Sequence, residues 1–362
     1  MKNLLENKIK KVCLVIPSLR HGGAERVISV LANEWSSYYD VEVTLLLLTK
    51  QKKYYQIDRK VSIIEPKRGY KSTLISKLFY RIWTLFYIRK EIKKLNPETV
   101  LSFCEVYNNL VLLSLVGVRN KKYVSDRSNP SKNLGFVHEN LRRLLYKRAD
   151  GIIAQTERGK AILKVKTNNR NIINIPNPLR IISRENILKE NIILNVGRNE
   201  PTKNQLELLE IFNKINISSW RLMILGNGEL RAKLEEKIQE LRIRDNVELL
   251  DFQTNIDHYY SKAKVFAFTS LFEGFPNALN EAMAHGLACI SYDCPIGPSE
   301  LITNNVSGKL IPLRDSEMFY QELKNILIDE DLQKKLGENA QYVNFEFSKE
   351  KISLQYFNFI TQ

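Results

Sequence analysis

The sequence predicts an α/β protein of two domains, each built on an open parallel sheet. Three observations carry that expectation. Apolar runs of strand length alternate with helix-length patterns along the chain. The alternation restarts after Pro176-Asn177-Pro178, where two prolines two residues apart make a stiff break. The length, 362 residues with 44% hydrophobic content, suffices for two substantial cores.

In order, Lys11–Pro17 reads as a buried strand, Ser18–Gly23 as a loop, and Ala24–Ser36 as a helix facing Val27, Ile28, Val30, Leu31 and Trp35 inward. This strand, Gly-Gly loop and helix place backbone N–H groups at a ligand cleft. His21, just before the glycines, either lines that cleft or stands as a solvated loop histidine. Val41–Leu48 and Val61–Ile64 are further strands, and Ser72–Leu95 is a long helical pattern.

From Lys67 to Lys94 there are nine Lys/Arg and one acid, interleaved with Tyr70, Phe79, Tyr80, Trp83, Phe86 and Tyr87. That is more aromatic surface than one packed face needs. The expectation is a helix with one side packed and the other on an anionic membrane, contacting it through Lys77, Arg81, Trp83, Arg89 and Lys90. Each cation near such a leaflet contributes roughly 1 kcal/mol. A domain-packing helix with solvated lysines is the competing reading.

Glu98–Phe103 is a strand followed by a helix through Val118, and Lys121–Ser125 is a strand ending in Asp126-Arg127-Ser128-Asn129-Pro130. Polar residues just past a parallel strand point into the crevice of an open sheet, which makes Asp126 and Arg127 candidates to line it. A turn held by local hydrogen bonds is the alternative. A basic helix at His138–Arg148, a strand at Gly151–Ala154, a helix from the Thr156 cap to Val165 and a strand at Ile172–Ile175 complete the first half.

Asn191–Val196 is the next strand, and Gly197–Asn204 is a loop that opens into a helix. Arg198 and Lys203 in that loop suit a diphosphate, Arg bidentately and Lys as a point charge. Arg221–Leu225 runs into Gly226-Asn227-Gly228-Glu229, and Val247–Leu250 into Asp251-Phe252-Gln253. Val265–Phe268 is a strand, its loop carries Glu273 and Gly274, and Pro276 starts a helix running from Asn277 to His285 with Gly286 as its stop. Leu287–Ser291 is a further strand, and from Ser316 onward the chain is helical. A helix N-terminus attracts an anion. Glu273 and Glu281 do not suit a diphosphate, but they suit the hydroxyl groups of a sugar and a ribose flanking it.

These residues resemble the donor-binding signature of retaining glycosyltransferases of the GT-B fold, family 4, in its bacterial lipopolysaccharide, capsule and exopolysaccharide type. Glu273, Gly274, Phe275, Pro276, Asn277 and, eight positions after the first Glu, Glu281 match its Glu-x7-Glu element. Arg198 and Lys203 match its Gly-Arg…Lys element. The resemblance implies two Rossmann-like domains with parallel sheets facing a deep interdomain cleft, and a C-terminal helix crossing back to the N-terminal domain. The boundaries expected are 1–180, 181–345 and 346–362.

It further implies a UDP-sugar donor, a lipid-linked glycan acceptor and retention of anomeric configuration. Arg198, Lys203 and Glu273 are then the catalytic residues. Gly22, Gly23, Gly226, Asn227, Phe252, Gly274, Phe275, Pro276, Asn277, Ala278, Leu279 and Glu281 hold the donor. Many members have a histidine near Asp126, and this chain has none there; the resemblance implies His21, Asp126 and Arg127 as the acceptor-side residues. No cofactor or metal is implied, since Arg and Lys neutralise the diphosphate, and Asp329-Glu330-Asp331 reads as a solvated charge run. An alternative of the same fold is a UDP-N-acetylglucosamine epimerase.

Charge is unevenly placed. Residues 1–180 carry 35 Lys/Arg against 14 Asp/Glu, and residues 181–362 carry 20 against 26. The basic half is expected to face a partner surface, read here as the cytoplasmic face of a bacterial inner membrane on which the protein sits peripherally. A nucleic-acid binder is the weaker reading of the same charge, because no nucleic-acid motif appears. No run is long enough to span a membrane or serve as a signal peptide. Cys13, Cys104, Cys289 and Cys294 are scattered and read as free thiols of a reducing compartment.

Overall fold

The computed structural model describes residues 10–67 and 74–362. The chain forms two compact units, Met1–Pro178 with Lys349–Gln362, and Leu179–Ser348.

The first unit begins with β1 (Lys10–Ile16), α1 (Gly23–Tyr38), β2 (Val41–Leu47), β3 (Ser62–Ile64) and α2 (Leu74–Leu95). It continues through β4 (Thr99–Phe103), α3 (Glu105–Ser114), β5 (Lys121–Ser125), α4 (Phe136–Tyr146), β6 (Gly151–Ala154), α5 (Glu157–Thr167) and β7 (Ile172–Asn174). All its strand pairs are parallel, in the order β3-β2-β1-β4-β5-β6-β7.

A central parallel strand is covered on both faces, so β1 is a continuous apolar run rather than an alternating one. Leu14 and Ile16 face Val27, Trp35, Tyr356 and Phe359, whereas Cys13 and Val15 face Ile88, Ile92 and Val111. The long basic helix pattern was expected from Ser72; Tyr70 and Ser72 lie outside the described residues. The helix expected to reach Val118 stops at Ser114, and Gly117 turns the chain with φ +73°. Thr156 caps α5 as its spacing predicts, accepting from the Gly159 amide at 3.0 Å.

The second unit contains β8 (Glu190–Val196), α6 (Gln205–Ile215), β9 (Arg221–Leu225), α7 (Arg231–Glu240), β10 (Val247–Leu250), α8 (Ile256–Lys262) and β11 (Ala263–Phe268). After these come α9 (Asn277–Ala284), β12 (Ala288–Asp293), α10 (Pro298–Leu301), β13 (Lys309–Pro312), α11 (Ser316–Ile328), α12 (Glu330–Ala340) and α13 (Val343–Glu346). Its strands are also parallel, in the order β10-β9-β8-β11-β12-β13. Each unit is thus a Rossmann-like α/β domain.

The strand order reverses between β1 and β4 in the first sheet and between β8 and β11 in the second. Loops leaving the carboxyl ends of strands at such a reversal form the ligand crevice of open sheets. The final helix, α14 (Lys349–Thr361), belongs to the first unit. Trp35 Nε1 donates to the Ser353 carbonyl and Thr99 Oγ1 to that of Ile360, both at 3.1 Å. Gly151 leaves room for this helix, because a Cβ there would stand 2.6 Å from the Phe359 ring. All four cysteines are free thiols, and Cys13, Cys289 and Cys294 are buried.

Candidate active site

At the reversal in the second sheet, β8 hands over to a loop closed by a 3-10 turn at Pro201–Lys203. Two bonds stitch it to the loop after β11: Leu271 N donates to the Thr202 carbonyl at 2.8 Å, and Thr269 Oγ1 to that of Lys203 at 3.0 Å. The stem of Lys203 crosses Gly197, where a Cβ would stand 3.4 Å from Lys203 Cδ. Its ammonium reaches Glu273 Oε1 at 2.6 Å and lies 5.8 Å from the centre of the Phe268 ring. Both side chains of this ion pair are largely buried, at 18% and 9% exposure.

The neighbouring loops lock together through glycines that cannot carry a side chain. Gly226, at φ +150°, sits where a Cβ would stand 1.9 Å from the Gly197 carbonyl oxygen. Asn199 N donates to the Asn227 carbonyl at 3.0 Å, and Phe252 N to Asn227 Oδ1 at 2.6 Å. Asn227 therefore joins the loops after β8, β9 and β10, and leaves the Phe252 ring about half exposed. The Asn199 Oδ1 acceptor is buried and unpaired, a state that invites a ligand donor.

Gly297, at φ +113°, brings the loop after β12 against Pro276, where a Cβ would stand 2.7 Å from Pro276 Cδ. Pro276 precedes α9 as its cap residue rather than starting it, and no side chain caps the helix. The Asn277 amide donates to the Phe275 carbonyl at 3.0 Å, whereas by helix geometry those of Ala278 and Leu279, in the first turn of α9, have no intrahelical partner. Phe275 is buried, Gly274 partly so, and the Ala278 carbonyl accepts from Tyr260 OH at 3.2 Å.

The four charged residues expected to act together separate into three pairs. Lys203 and Glu273 meet directly. Arg198 is 78% exposed and pairs with Glu200 at 3.2 Å. Glu281, buried one turn inside α9, stands 3.1 Å from Arg180 Nε. The Arg-Lys spacing alone did not foretell this division, because the intervening 3-10 turn points Lys203 inward and leaves Arg198 on the rim.

The family model described as glycosyl transferases group 1 matches residues 180–343. The chain is 30% identical, over 95% of its length and 98% of the relative's, to the N-acetylgalactosamine-N,N'-diacetylbacillosaminyl-diphospho-undecaprenol 4-alpha-N-acetylgalactosaminyltransferase of Campylobacter jejuni. The protein belongs to this glycosyltransferase family. The glycosyltransferase is also 28% identical to the amylovoran biosynthesis glycosyltransferase AmsD of Erwinia amylovora, over 94% of this chain and 97% of that one. Among solved structures, TarM superposes with a TM-score of 0.81 at 15% identity, covering 98% and 99% of the two chains. HepE of Anabaena, in complex with UDP and glucose, gives 0.78 at 14%, covering 97% and 99%. These two likenesses show the fold, which is that of GT-B enzymes.

In the first unit of the glycosyltransferase, Gly22 and Gly23 open α1, and Tyr55 OH donates to the Gly22 carbonyl at 2.9 Å. His21 is exposed, with its ring edge-on to Tyr54 at 4.8 Å. Asp126 departs from the acceptor-side expectation. It is 1% exposed and turns away from solvent, accepting from Tyr146 OH at 2.6 Å and Asn108 Nδ2 at 3.4 Å. Burial, helped by the nearby Glu105 charge, pushes its carboxyl up to about 7 against the pull of Arg142 and these hydrogen bonds.

Arg127 lies 5.1 Å from the Phe103 ring centre, donates to Tyr356 OH at 2.8 Å and also bonds Asn177 Oδ1. Glu105 Oε1 accepts the Arg127 and Ser128 amides, both at 2.6 Å. It is the first residue of α3, delivered by Cys104 in a strained left-handed conformation at φ +74°.

Sequence reasoning missed Glu105 and Arg180. An acid in a first helical turn reads as an ordinary dipole partner. Arg180 has no local signal at all, since its partner Asp257 is 77 positions away. Among the described residues, no group of three His, Cys, Asp or Glu could hold a metal ion.

On α2, Ile88 and Ile92 are buried, whereas Phe79, Ile82, Trp83 and Phe86 are exposed together with Arg81 and Lys90. Arg89 departs from the membrane expectation, as its Nη1 is tied to the Ser114 and Val116 carbonyls, both at 2.8 Å. The side chain of Lys77 lies outside the described residues. No helix among them is long and apolar enough to cross a membrane.

Proposed function

We propose that this glycosyltransferase moves a hexose or N-acetylhexosamine from a UDP-sugar to a lipid-linked oligosaccharide, with retention and without a metal. The observation that carries this reading is the Lys203–Glu273 pair, buried at 2.6 Å beside the start of α9 and at the strand-order reversal. Lys203 and Arg198 neutralise the diphosphate, the amides of Ala278 and Leu279 hydrogen-bond to it, Glu273 orients sugar hydroxyls and Glu281 the ribose. As the bond between the anomeric carbon and the phosphate oxygen breaks, its electron pair passes to the β-phosphate. The acceptor oxygen bonds to the same face of the sugar and gives its proton to the departing phosphate. One preorganised donor at the growing negative charge contributes roughly 3–4 kcal/mol.

The acceptor class is supported by the Campylobacter jejuni relative, whose name gives a diphospho-undecaprenol saccharide as acceptor, and the donor nucleotide by the UDP in HepE. Arg127 and His21 receive the acceptor. The exposed aromatic and basic side of α2 holds the enzyme peripherally at the cytoplasmic face of an anionic membrane, within reach of that acceptor.

The test combines each UDP-sugar of a hexose and N-acetylhexosamine panel with polyprenyl diphosphate saccharides in buffer containing EDTA, followed by mass spectrometry. One added sugar residue, α-linked when the donor is α-linked, and lost in Lys203→Ala, is expected. UDP release without product, or transfer abolished by EDTA and restored by Mg2+, overturns the reading.

A further inference from the structure

Arg180 is the first charged residue of the second unit, and its side chain is only 19% exposed. Its two terminal nitrogens grip Asp257 as a fork, Nη2 to Oδ1 at 2.6 Å and Nη1 to Oδ2 at 2.8 Å. A guanidinium held in this way cannot rotate. Its third nitrogen, Nε, is thereby fixed 3.1 Å from Glu281 Oε2. The same Asp257 accepts the Ser183 amide at 3.3 Å and lies 2.9 Å from Nε2 of the fully buried His285. His285 Nδ1 in turn sits 2.8 Å from the main-chain carbonyl of Glu281. Glu281 is therefore held at both its side chain and its backbone by groups that converge on one carboxylate.

From this geometry we propose that Arg180 is a positioning residue of the donor site, clamped by Asp257 so that it fixes the Glu281 carboxylate for the ribose hydroxyls. The inference rests on the reading of Glu281 as the ribose partner. A carboxylate offers about four lone-pair positions, so contact with Arg180 on one oxygen is compatible with accepting hydroxyl donors. A lysine keeps the charge but lacks the fork and Nε, and therefore loses the orientation.

The experiment is calorimetry of the full chain with UDP and with 2′-deoxy-UDP, on wild type, Arg180→Lys, Arg180→Ala and Glu281→Gln, each checked for its unfolding temperature. The wild type is expected to prefer UDP. Arg180→Ala is expected to bind UDP about tenfold more weakly and to lose its preference over the deoxy compound. Arg180→Lys, which preserves charge and fold, follows it in preference. Arg180→Ala combined with Glu281→Gln is expected to be no worse than Glu281→Gln alone. Equal weakening of both nucleotides, or an intact preference in Arg180→Lys, overturns the positioning role. An intact preference in Glu281→Gln, or a wild type that ignores UDP, instead overturns the donor-site reading beneath it.

Discussion

Lys203 and Arg198 match one short motif, yet their surroundings assign them different consequences. Removing Lys203 strands Glu273, only 9% exposed, without its partner, and breaking such a pair costs about 3–5 kcal/mol. Lys203→Ala is therefore expected to lower the unfolding temperature as well as kcat/KM, the latter by roughly 100- to 1,000-fold. Arg198→Ala removes an exposed pair and is expected to leave stability within about 0.5 kcal/mol. Any loss of turnover in it then reports on the diphosphate alone, and parallel thermal melts and steady-state rates check both. Asp126 gives a pH signature. Its folded carboxyl titrates near 7 rather than at its ordinary 3.8, so the folded state binds the extra proton between those values. Stability then falls as pH rises through that window and is flat above it. Asp126→Asn is expected to remove this slope and to melt higher than wild type at pH 8. Lys203 and Glu273 were legible because their motifs are local. Arg180 and the inward turn of Asp126 were not, because both depend on partners brought together only by the folded sheet.

Among the elements, α2 shows what a sequence pattern can and cannot divide. Its composition revealed both a packing and a non-packing side, but not which cations belong to which. Arg89 lies over the carboxyl end of α3 and satisfies the carbonyls that a helix end leaves unpaired. The outward set is Phe79, Ile82, Trp83 and Phe86, with Arg81 and Lys90. Changing Arg81 and Lys90 to Ser, with Phe79 and Phe86 to Ser, is expected to abolish co-sedimentation with phosphatidylserine vesicles and leave the melting curve unchanged. Arg89→Ser is expected to do the reverse. Buried parallel strands were read closely because they are unbroken apolar runs, whereas β13, a short and only partly buried edge strand, was missed. Helix ends were read less well, since Gly117 and Cys104 set them through backbone conformations that residue type only partly encodes.

For the whole molecule, the two sheets repeat one plan, and the rhythm of the chain announced both. The second unit is a continuous stretch with its own cores on both sheet faces. Expressed alone, residues 179–348 are expected to melt cooperatively, as circular dichroism can follow, and to bind UDP. The first unit has no such independence, because residues 349–362 complete it: Tyr356 holds Arg127, and Lys349 pairs with Glu34. On the ribosome, then, the earlier half of the message waits for the later half. Its sheet emerges first, but α1 stays uncovered until every residue of the second unit has been translated, so a chain stalled between positions 178 and 349 carries a basic, aromatic-rich domain with an open flank.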